Sequence, residues 1–140
     1  MDLQTLKETY TKKRRTYEEL QQYLSGKIPE IINTPIHSIK YRVKDFESFY
    51  QKVSRKQYKE PFSQCTDIIG CRIICLFQGQ IEEIANVLGE EFKIIEHQKQ
   101  RLTEREFSYQ STHIIAAVKR NAQASTSIKG ILFEIQIRTI

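Results

Sequence analysis

Two strongly apolar, strand-like segments of this chain each carry a single acid. Residues 65–77 contain Asp67, and residues 130–140 contain Glu134. A carboxylate in such a segment is costly to bury unless it pairs with a cation or binds a metal ion. On neighbouring strands the two carboxylates would form a site for a hard divalent cation, for which Mg²⁺ is the first choice. We therefore expect a sheet that brings Asp67 and Glu134 together.

The hydrophobic pattern predicts the order helix, strand, helix, strand, helix and then three strands, which is typical of an α+β or mixed α/β domain. The first helix is predicted over residues 3–24 and closed by Ser25 and Gly26, so that it occupies the first 26 residues, and a short apolar turn or helix follows over 28–32. Further helices are expected over 46–53, capped by Asp45, and over 80–91. Strands are expected over 36–43, 65–77, 92–97, 109–119 and 128–140, with polar connections over 55–64, 98–106 and 120–126. Residues 65–77 are placed at the centre of the sheet because both of their faces are apolar.

The composition indicates a single domain with a polyanionic partner. A chain of 140 residues is of single-domain size, and its net charge of +5 suggests nucleotides, RNA or an acidic surface. The three cysteines form no Cys-x-x-Cys pair, which argues against zinc and indicates buried thiols in a reducing compartment. The N-terminus lacks the apolar region of a signal peptide, and no run of about 18 apolar residues occurs. We expect a cytoplasmic protein that does not enter the membrane.

Two groups of basic residues are candidates for binding phosphate. Arg42 and Lys44 share one face of a strand, and Ser48 and Lys52 share one face of the following helix. Together they could hold a triphosphate, although spacing alone favours an ordinary solvated basic face. No P-loop is present, so side chains would have to bind the phosphates. The run of residues 12–15 is interpreted as a solvated helix face that could also touch RNA.

The environment of Asp67 leaves two interpretations open, a functional acid and an ion-paired acid that caps the strand. Arg72, which lies between apolar neighbours, is expected to need a partner. Asp67 and Arg72 would point to opposite faces of a regular strand. Gly70 between them could host a β-bulge that changes this.

Two further strands present polar side chains on one face. Tyr109, Ser111 and His113 alternate along one predicted strand. They offer a ring for stacking on a base, a hydroxyl and an imidazole, or else form a half-exposed polar sheet face. On the last strand Glu134, Gln136 and Arg138 share a face that suits metal, ribose and phosphate, or else faces solvent at a sheet edge. Their spacing of two along the strand places all three side chains on the same face.

These groups stand in an order that resembles the synthetase domain of the RelA/SpoT alarmone synthetases, most closely the small single-domain members. The resemblance covers roughly residues 28–140 and runs through His37-Ser-Ile-x-x-Arg42-Val-Lys44-x-x-x-Ser48-x-x-x-Lys52, Asp67-Ile-Ile-Gly70-x-Arg72, Tyr109-Gln-Ser111-x-His113 and Glu134-Ile-Gln136-Ile-Arg138-Thr. It implies a nucleotidyltransferase-like fold, with a mixed sheet flanked by helices. It also implies transfer of the β,γ-pyrophosphate of ATP to the 3′-hydroxyl of GDP or GTP, which makes (p)ppGpp.

The resemblance assigns roles to the individual residues. Asp67 and Glu134 would be the catalytic, Mg²⁺-binding acids, and Glu134 would alternatively take the proton of the acceptor hydroxyl. ATP would be bound by Arg42 near the adenine, by Lys44, Ser48 and Lys52 at the phosphates, and by Arg72 nearby. The acceptor nucleotide would be bound by Tyr109, stacked on its base, and by Ser111, His113, Gln136 and Arg138.

Two departures from the family pattern keep other readings open. Ser108 stands where the family usually has Gly, and residues 105–107 replace the usual Lys- and Asn-containing approach. The alternatives are a toxin-type member of the same fold that acts on tRNA 3′ ends or adenine nucleotides, and a non-catalytic nucleotide- or RNA-binding module. The family continues beyond Arg-Thr, whereas this chain ends at Ile140, six residues past Glu134. We therefore expect a truncated form with weak or no activity, and the oligomeric state stays open, a homo-oligomer included.

Overall fold

The structure is a computed structural model that describes residues 2–101 and 110–140. Within these ranges five strands form one mixed sheet: β1 (Ile36–Val43), β2 (Ile69–Cys75), β3 (Phe92–Arg101), β4 (Gln110–Val118) and β5 (Phe133–Thr139). The strand order is β1-β2-β5-β4-β3, in which β2 and β5 are parallel and every other pair is antiparallel. The helices are α1 (Leu3–Ile31), α2 (Phe46–Lys56), the short α3 (Pro61–Gln64) and α4 (Gly79–Glu91), with a 3₁₀ turn at Thr126–Ile128. The expected α+β fold with a mixed sheet flanked by helices is confirmed.

The helices cover one face of the sheet and leave the other face open. Alternate residues of β2 and β5, such as Ile73 and Ile135, are fully buried and form one core with α1 and α4. The residues between them, such as Arg72 and Gln136, lie on the opposite face and remain accessible. This arrangement follows from the period of two along each strand, since one face carries nearly all of the apolar side chains.

The first helix is longer than the sequence predicts. It was expected to close at Ser25 and Gly26, but α1 continues through Gly26 and Pro29 to Ile31. Its buried stripe continues past the glycine with Ile28, which is fully buried. Burial of that side chain outweighs the roughly 1 kcal/mol that a glycine costs in a helix.

Several other boundaries differ from the predictions. β3 extends to Arg101, because residues 98–101 of the expected charged loop pair with β4; residues 102–106 of that loop lie outside the described residues. The last strand begins at Phe133 instead of residue 128, and α2 continues to Lys56, two residues into the expected connection. Within that connection residues 61–64 form α3. The segment 65–77 is a strand only over Ile69–Cys75, and it lies inside the sheet while β5 occupies the centre.

Candidate functional site

Three rows of paired residues cross the open face of the sheet. The first row runs Arg42, Gly70, Glu134 and Ile115, and the second runs Lys40, Arg72, Gln136 and His113. The third runs Ser38, Ile74, Arg138 and Ser111. Residues that pair across neighbouring strands point to the same face. The register therefore gathers polar side chains from four strands that are remote in sequence.

A cavity of about 460 Å³ occupies the β1, β2 and β5 side of this face. It is lined by Lys40, Tyr41, Arg42, Lys44, Asp67, Gly70, Cys71, Arg72, Glu134 and Gln136. Both acids predicted from the sequence, Asp67 and Glu134, are among these residues. Four cationic side chains and two carboxylates line the cavity, so its walls carry a net positive charge. Such a surface attracts a polyanion such as a nucleotide tail.

Asp67 lies at the entrance to β2 and is held by two lysines. Lys52 Nζ lies 2.7 Å from Oδ1, and Lys44 Nζ lies 3.2 Å from Oδ2. The Cys65 thiol also donates to Oδ1 at 3.2 Å. Burial acts to raise the pKa of Asp67, but the hydrogen bonds from Lys52 and Cys65 and the charge of Lys44 outweigh it and lower the pKa to about 2. Asp67 is therefore ionised at neutral pH.

The lysines themselves are not part of a solvated face. The side chains of Lys44 and Lys52 are only 13% and 18% exposed. Burial is the largest single influence on the pKa of Lys52 and acts to lower it, yet the hydrogen bond to Asp67 and the charge of Asp67 together outweigh burial, and the pKa is raised. Spacing alone favoured an ordinary solvated basic face, and that interpretation is wrong for these two lysines. Arg42, by contrast, is exposed.

The start of α2 brings Ser48 against the end of β1. Asp45 caps the helix, because its side chain accepts a hydrogen bond from Ser48 N at 2.8 Å. Ser48 Oγ in turn accepts from Arg42 Nη2 at 3.3 Å. Arg42, Ser48 and Lys52 thus lie together as the sequence predicts, although Ser48 and Lys52 do not line the cavity.

Arg72 and Asp67 face the same cavity without a bulge at Gly70. The pairing of β2 is regular from Ile69 to Ile74 on the β1 side and from Gly70 to Cys75 on the β5 side. Asp67 precedes the strand, so the alternation of strand faces does not determine where its side chain points. The bulge that the sequence suggested at Gly70 is therefore absent. The expectation that Arg72 needs a partner is also wrong, because its side chain is exposed.

Glu134 is supported by neighbours on its own face. Gln136 Nε2 donates to Glu134 Oε1 at 3.0 Å, and His113 Nδ1 lies 3.6 Å from the same oxygen. His113 Nε2 lies 3.5 Å from Ser111 Oγ, which continues the polar chain along β4. Arg138 is placed one row further on, with its Nε 3.5 Å from Thr139 O. Tyr109, predicted to stack on the acceptor base, lies outside the described residues.

Sequence reasoning missed two residues at this site. Lys40 lines the cavity two positions before Arg42. Residues two apart on a strand share a face, so the position of Arg42 was sufficient to predict that of Lys40. Tyr10 of α1 donates its hydroxyl to the backbone oxygen of Lys44. No local pattern indicates this contact, because the two residues are 34 positions apart.

The two acids have the chemistry that Mg²⁺ requires. Mg²⁺ prefers oxygen ligands, keeps several waters and is often bound by one or two carboxylates together with substrate phosphates. Asp67 is ionised, Glu134 lines the same cavity, and each would supply carboxylate oxygens. The residues therefore fit the cation, and their coordination of it stays a prediction.

The remaining sequence motifs lie away from the cavity. Residues 12–15 of α1 are exposed, in keeping with a solvated helix face, and Arg14 pairs with Glu18 at 2.8 Å. The three cysteines are buried free thiols. Among residues 2–101 and 110–140, no helix combines the length and apolar character needed to cross a membrane.

Comparison with known proteins identifies similar chains. A family model described as a region found in RelA / SpoT proteins matches residues 41–140. The chain is 36% identical over 114 residues to the GTP pyrophosphokinase YwaC of Bacillus subtilis (strain 168), which covers 77% of this chain and 53% of that protein. The chain thus spans about half the length of this curated relative.

Solved structures show the same fold. The small alarmone synthetase 2 of Bacillus subtilis matches with a TM-score of 0.73 at 30% identity, covering 94% of this chain and 73% of that one. The small alarmone synthetase 1 of Bacillus subtilis, bound to its product pppGpp, matches with a TM-score of 0.69 at 27% identity, covering 98% and 73%. The same synthetase bound to AMPCPP matches with a TM-score of 0.64 at 26% identity, covering 98% and 71%.

Proposed function

This chain belongs to the RelA/SpoT family, and on that premise we propose that it transfers the β,γ-pyrophosphate of ATP to the 3′-hydroxyl of GDP or GTP. The similarity to a GTP pyrophosphokinase and to a synthetase bound to pppGpp or AMPCPP supports this reaction. The observation that carries the proposal is the shared cavity, which is lined by Asp67, Glu134 and four cations.

The cationic wall suits the donor nucleotide. Lys40 and Arg72 pair directly across β1 and β2, and neither side chain has a hydrogen bond or ion pair with another described residue. Like charges at opposed positions destabilise a sheet, so an anion between them relieves the repulsion. Arg42 and Lys44 extend the same positive wall toward Asp67. We assign this side of the cavity to ATP, with Arg42 near the adenine, with Lys44, Ser48 and Lys52 near the phosphates, and with Arg72 nearby.

The reaction needs in-line positioning and charge neutralisation more than covalent help. The acceptor 3′-oxygen forms a bond to the β-phosphorus while the bond from that phosphorus to the α,β-bridging oxygen breaks, and AMP leaves with that oxygen. The carboxylate of Glu134 takes the proton of the 3′-hydroxyl, since a ribose hydroxyl is a poor nucleophile. Lys44 and the arginines stabilise the negative charge on the transferred group. Mg²⁺ held by Asp67 would neutralise further charge on the phosphates, with Glu134 as a second ligand in the alternative in which Glu134 is not the base.

The acceptor belongs on the β4 and β5 side of the face. His113 and Gln136 both contact Glu134, so a hydroxyl bound beside them lies next to the proposed base. Ser111 and Arg138 follow in the next row and would bind the remainder of the acceptor, with Tyr109 stacked on its base. The acceptor is GDP or GTP in this proposal.

Labelled ATP tests the proposal directly. The protein is incubated with Mg²⁺, ATP labelled on the β,γ-phosphates and one acceptor at a time: GDP, GTP, ATP or tRNA. We expect label on GDP or GTP, with equimolar AMP formed. Label on tRNA or on ATP would instead indicate the toxin-type or adenine-nucleotide chemistry, and ATP binding without transfer to any acceptor would indicate a binding module. The rate in the same assay tests the expectation of weak activity.

A further inference from the structure

Gly70 is a glycine in the interior of β2 that the free protein does not explain. No described glycine has a positive φ, so the backbone conformation at Gly70 is open to any residue. The regular register excludes a bulge there. A Cβ built on Gly70 meets no atom within 4 Å, so packing among the described residues does not exclude a side chain either. Glycine in a strand interior lowers the stability of the strand, and nothing in the free structure offsets that loss.

The position of Gly70 indicates what compensates for that cost. Gly70 pairs with Arg42 on β1 and with Glu134 on β5, and it lines the cavity itself. It therefore forms the floor of the cavity between the cationic wall and the acid. Glycine within a strand is typical of places where a ligand approaches the main chain closely.

We propose that ATP lies directly on the main chain of β2 at Gly70, in the space that a Cβ would occupy, so that this residue determines whether the site admits the nucleotide. The inference rests on the proposed function, since it takes ATP as the donor. It assigns Gly70 to substrate binding, a role that requires the absence of a side chain and makes no use of the flexibility of glycine.

The test compares ATP binding by the wild type and by Gly70→Ala and Gly70→Val, measured by calorimetry in the presence of Mg²⁺. A methyl group forced into a filled site raises the dissociation constant for ATP by about tenfold, and the valine side chain raises it further. Thermal unfolding without nucleotide should show variants at least as stable as the wild type, because the space is open and valine favours strands. A variant that melts well below the wild type would overturn the inference.

Gly26→Ala is the matched control. Gly26 is exposed in α1, and a Cβ there also meets nothing within 4 Å, but Gly26 does not line the cavity. Its change should leave ATP affinity at the wild-type value. If the wild type binds ATP and Gly70→Ala binds it equally well, the inference fails while the proposed function stands. If the wild type binds no ATP at all, the proposed function fails and this inference fails with it.

Discussion

Both carboxylate oxygens of Asp67 are occupied by lysine ammonium groups in the free protein. The same two lysines, Lys44 and Lys52, are assigned to the phosphates of ATP. A bound polyphosphate would therefore compete with Asp67 for both ammonium groups, and the carboxylate would gain a free oxygen for a cation. The ion pairs of the free site thus hold the acid charged and ordered before any ligand arrives.

Stability should depend on pH through Asp67. Its pKa is about 2 in the folded chain against an ordinary value of 3.8, so the unfolded chain binds more protons between these values. The stabilisation, about 2 kcal/mol, is complete above pH 4 and disappears as the pH falls through about 2. Urea unfolding across this range should show that Asp67→Asn is about 2 kcal/mol less stable than the wild type at pH 7 and equally stable near pH 2. Parallel pH curves for the two proteins would contradict this prediction.

Glu134 is expected to be essential for transfer and dispensable for binding ATP. Replacing a general base typically lowers the rate by about 10²–10⁴-fold, so Glu134→Gln should lose nearly all transfer of label from ATP to GDP. ATP binding, measured by calorimetry, should persist, because the cationic wall is unchanged. Glu96→Gln is the matched control, since Glu96 extends the same row on β3, beyond Ile115. Retained transfer by Glu134→Gln would remove Glu134 from the mechanism.

Among the elements, α2 depends on its first residues for both stability and placement. The Asp45 carboxylate caps it through Ser48 N, and the same turn presents Ser48 to Arg42. Four residues further on, Lys52 reaches Asp67. One short helix thus delivers a hydroxyl and a cation to the edge of the site, and its cap fixes where the helix begins.

Removal of that cap should have a measurable cost. Asp45→Ala is expected to lower the free energy of unfolding by about 1 kcal/mol, because Ser48 N loses its partner at the helix N-terminus. Asp45→Ser keeps an oxygen acceptor and should recover most of the loss. Urea denaturation of the three proteins gives the comparison. Equal stability of the alanine and serine variants would show that the hydrogen bond contributes nothing.

At the scale of the whole molecule, the candidate site lies at one end of the parallel strands β2 and β5. At the other end lies a polar clamp, formed by the hydrogen bonds of Gln80. Gln80 of α4 is buried, and its Oε1 accepts hydrogen bonds from Leu76 N at 2.9 Å and Phe77 N at 2.8 Å. Its Nε2 donates to Thr34 Oγ1 at 2.8 Å and Pro35 O at 2.5 Å. One side chain thus joins the end of β2, the start of β1 and the start of α4.

Loss of this clamp should destabilise the fold without affecting the chemistry directly. Gln80→Ala leaves up to two backbone N–H groups and one carbonyl without a protein partner, which costs about 2–4 kcal/mol in unfolding free energy. The site lies at the opposite end of β2, so KM for ATP should stay unchanged at a temperature where the variant is folded. Gln78, the residue before α4, is partly exposed and makes no capping hydrogen bond with its side chain, so Gln78→Ala serves as a control. A normal unfolding midpoint for Gln80→Ala would contradict the prediction.

Much of the local structure was predictable because its causes are local. β1 has the predicted bounds, α2 begins after the predicted Asp45 cap, and Glu134, Gln136 and Arg138 share a face as their spacing of two requires. The ordered motifs also led to the family, which the match over residues 41–140 confirms. The suggestion of a bulge at Gly70 was wrong, because alternation along β2 carries no information about Asp67, which precedes the strand.

The sequence by itself determined which residues alternate, where α2 is capped and which side chains carry charge, since these depend on neighbours a few positions apart. Only the tertiary structure decided that β2 lies beside β5, that Arg42, Gly70 and Glu134 form one row, and that α1 continues past Gly26. Each of these depends on burial and pairing between segments remote in the chain. Such contacts are selected by the packing of the whole core, which no local pattern contains.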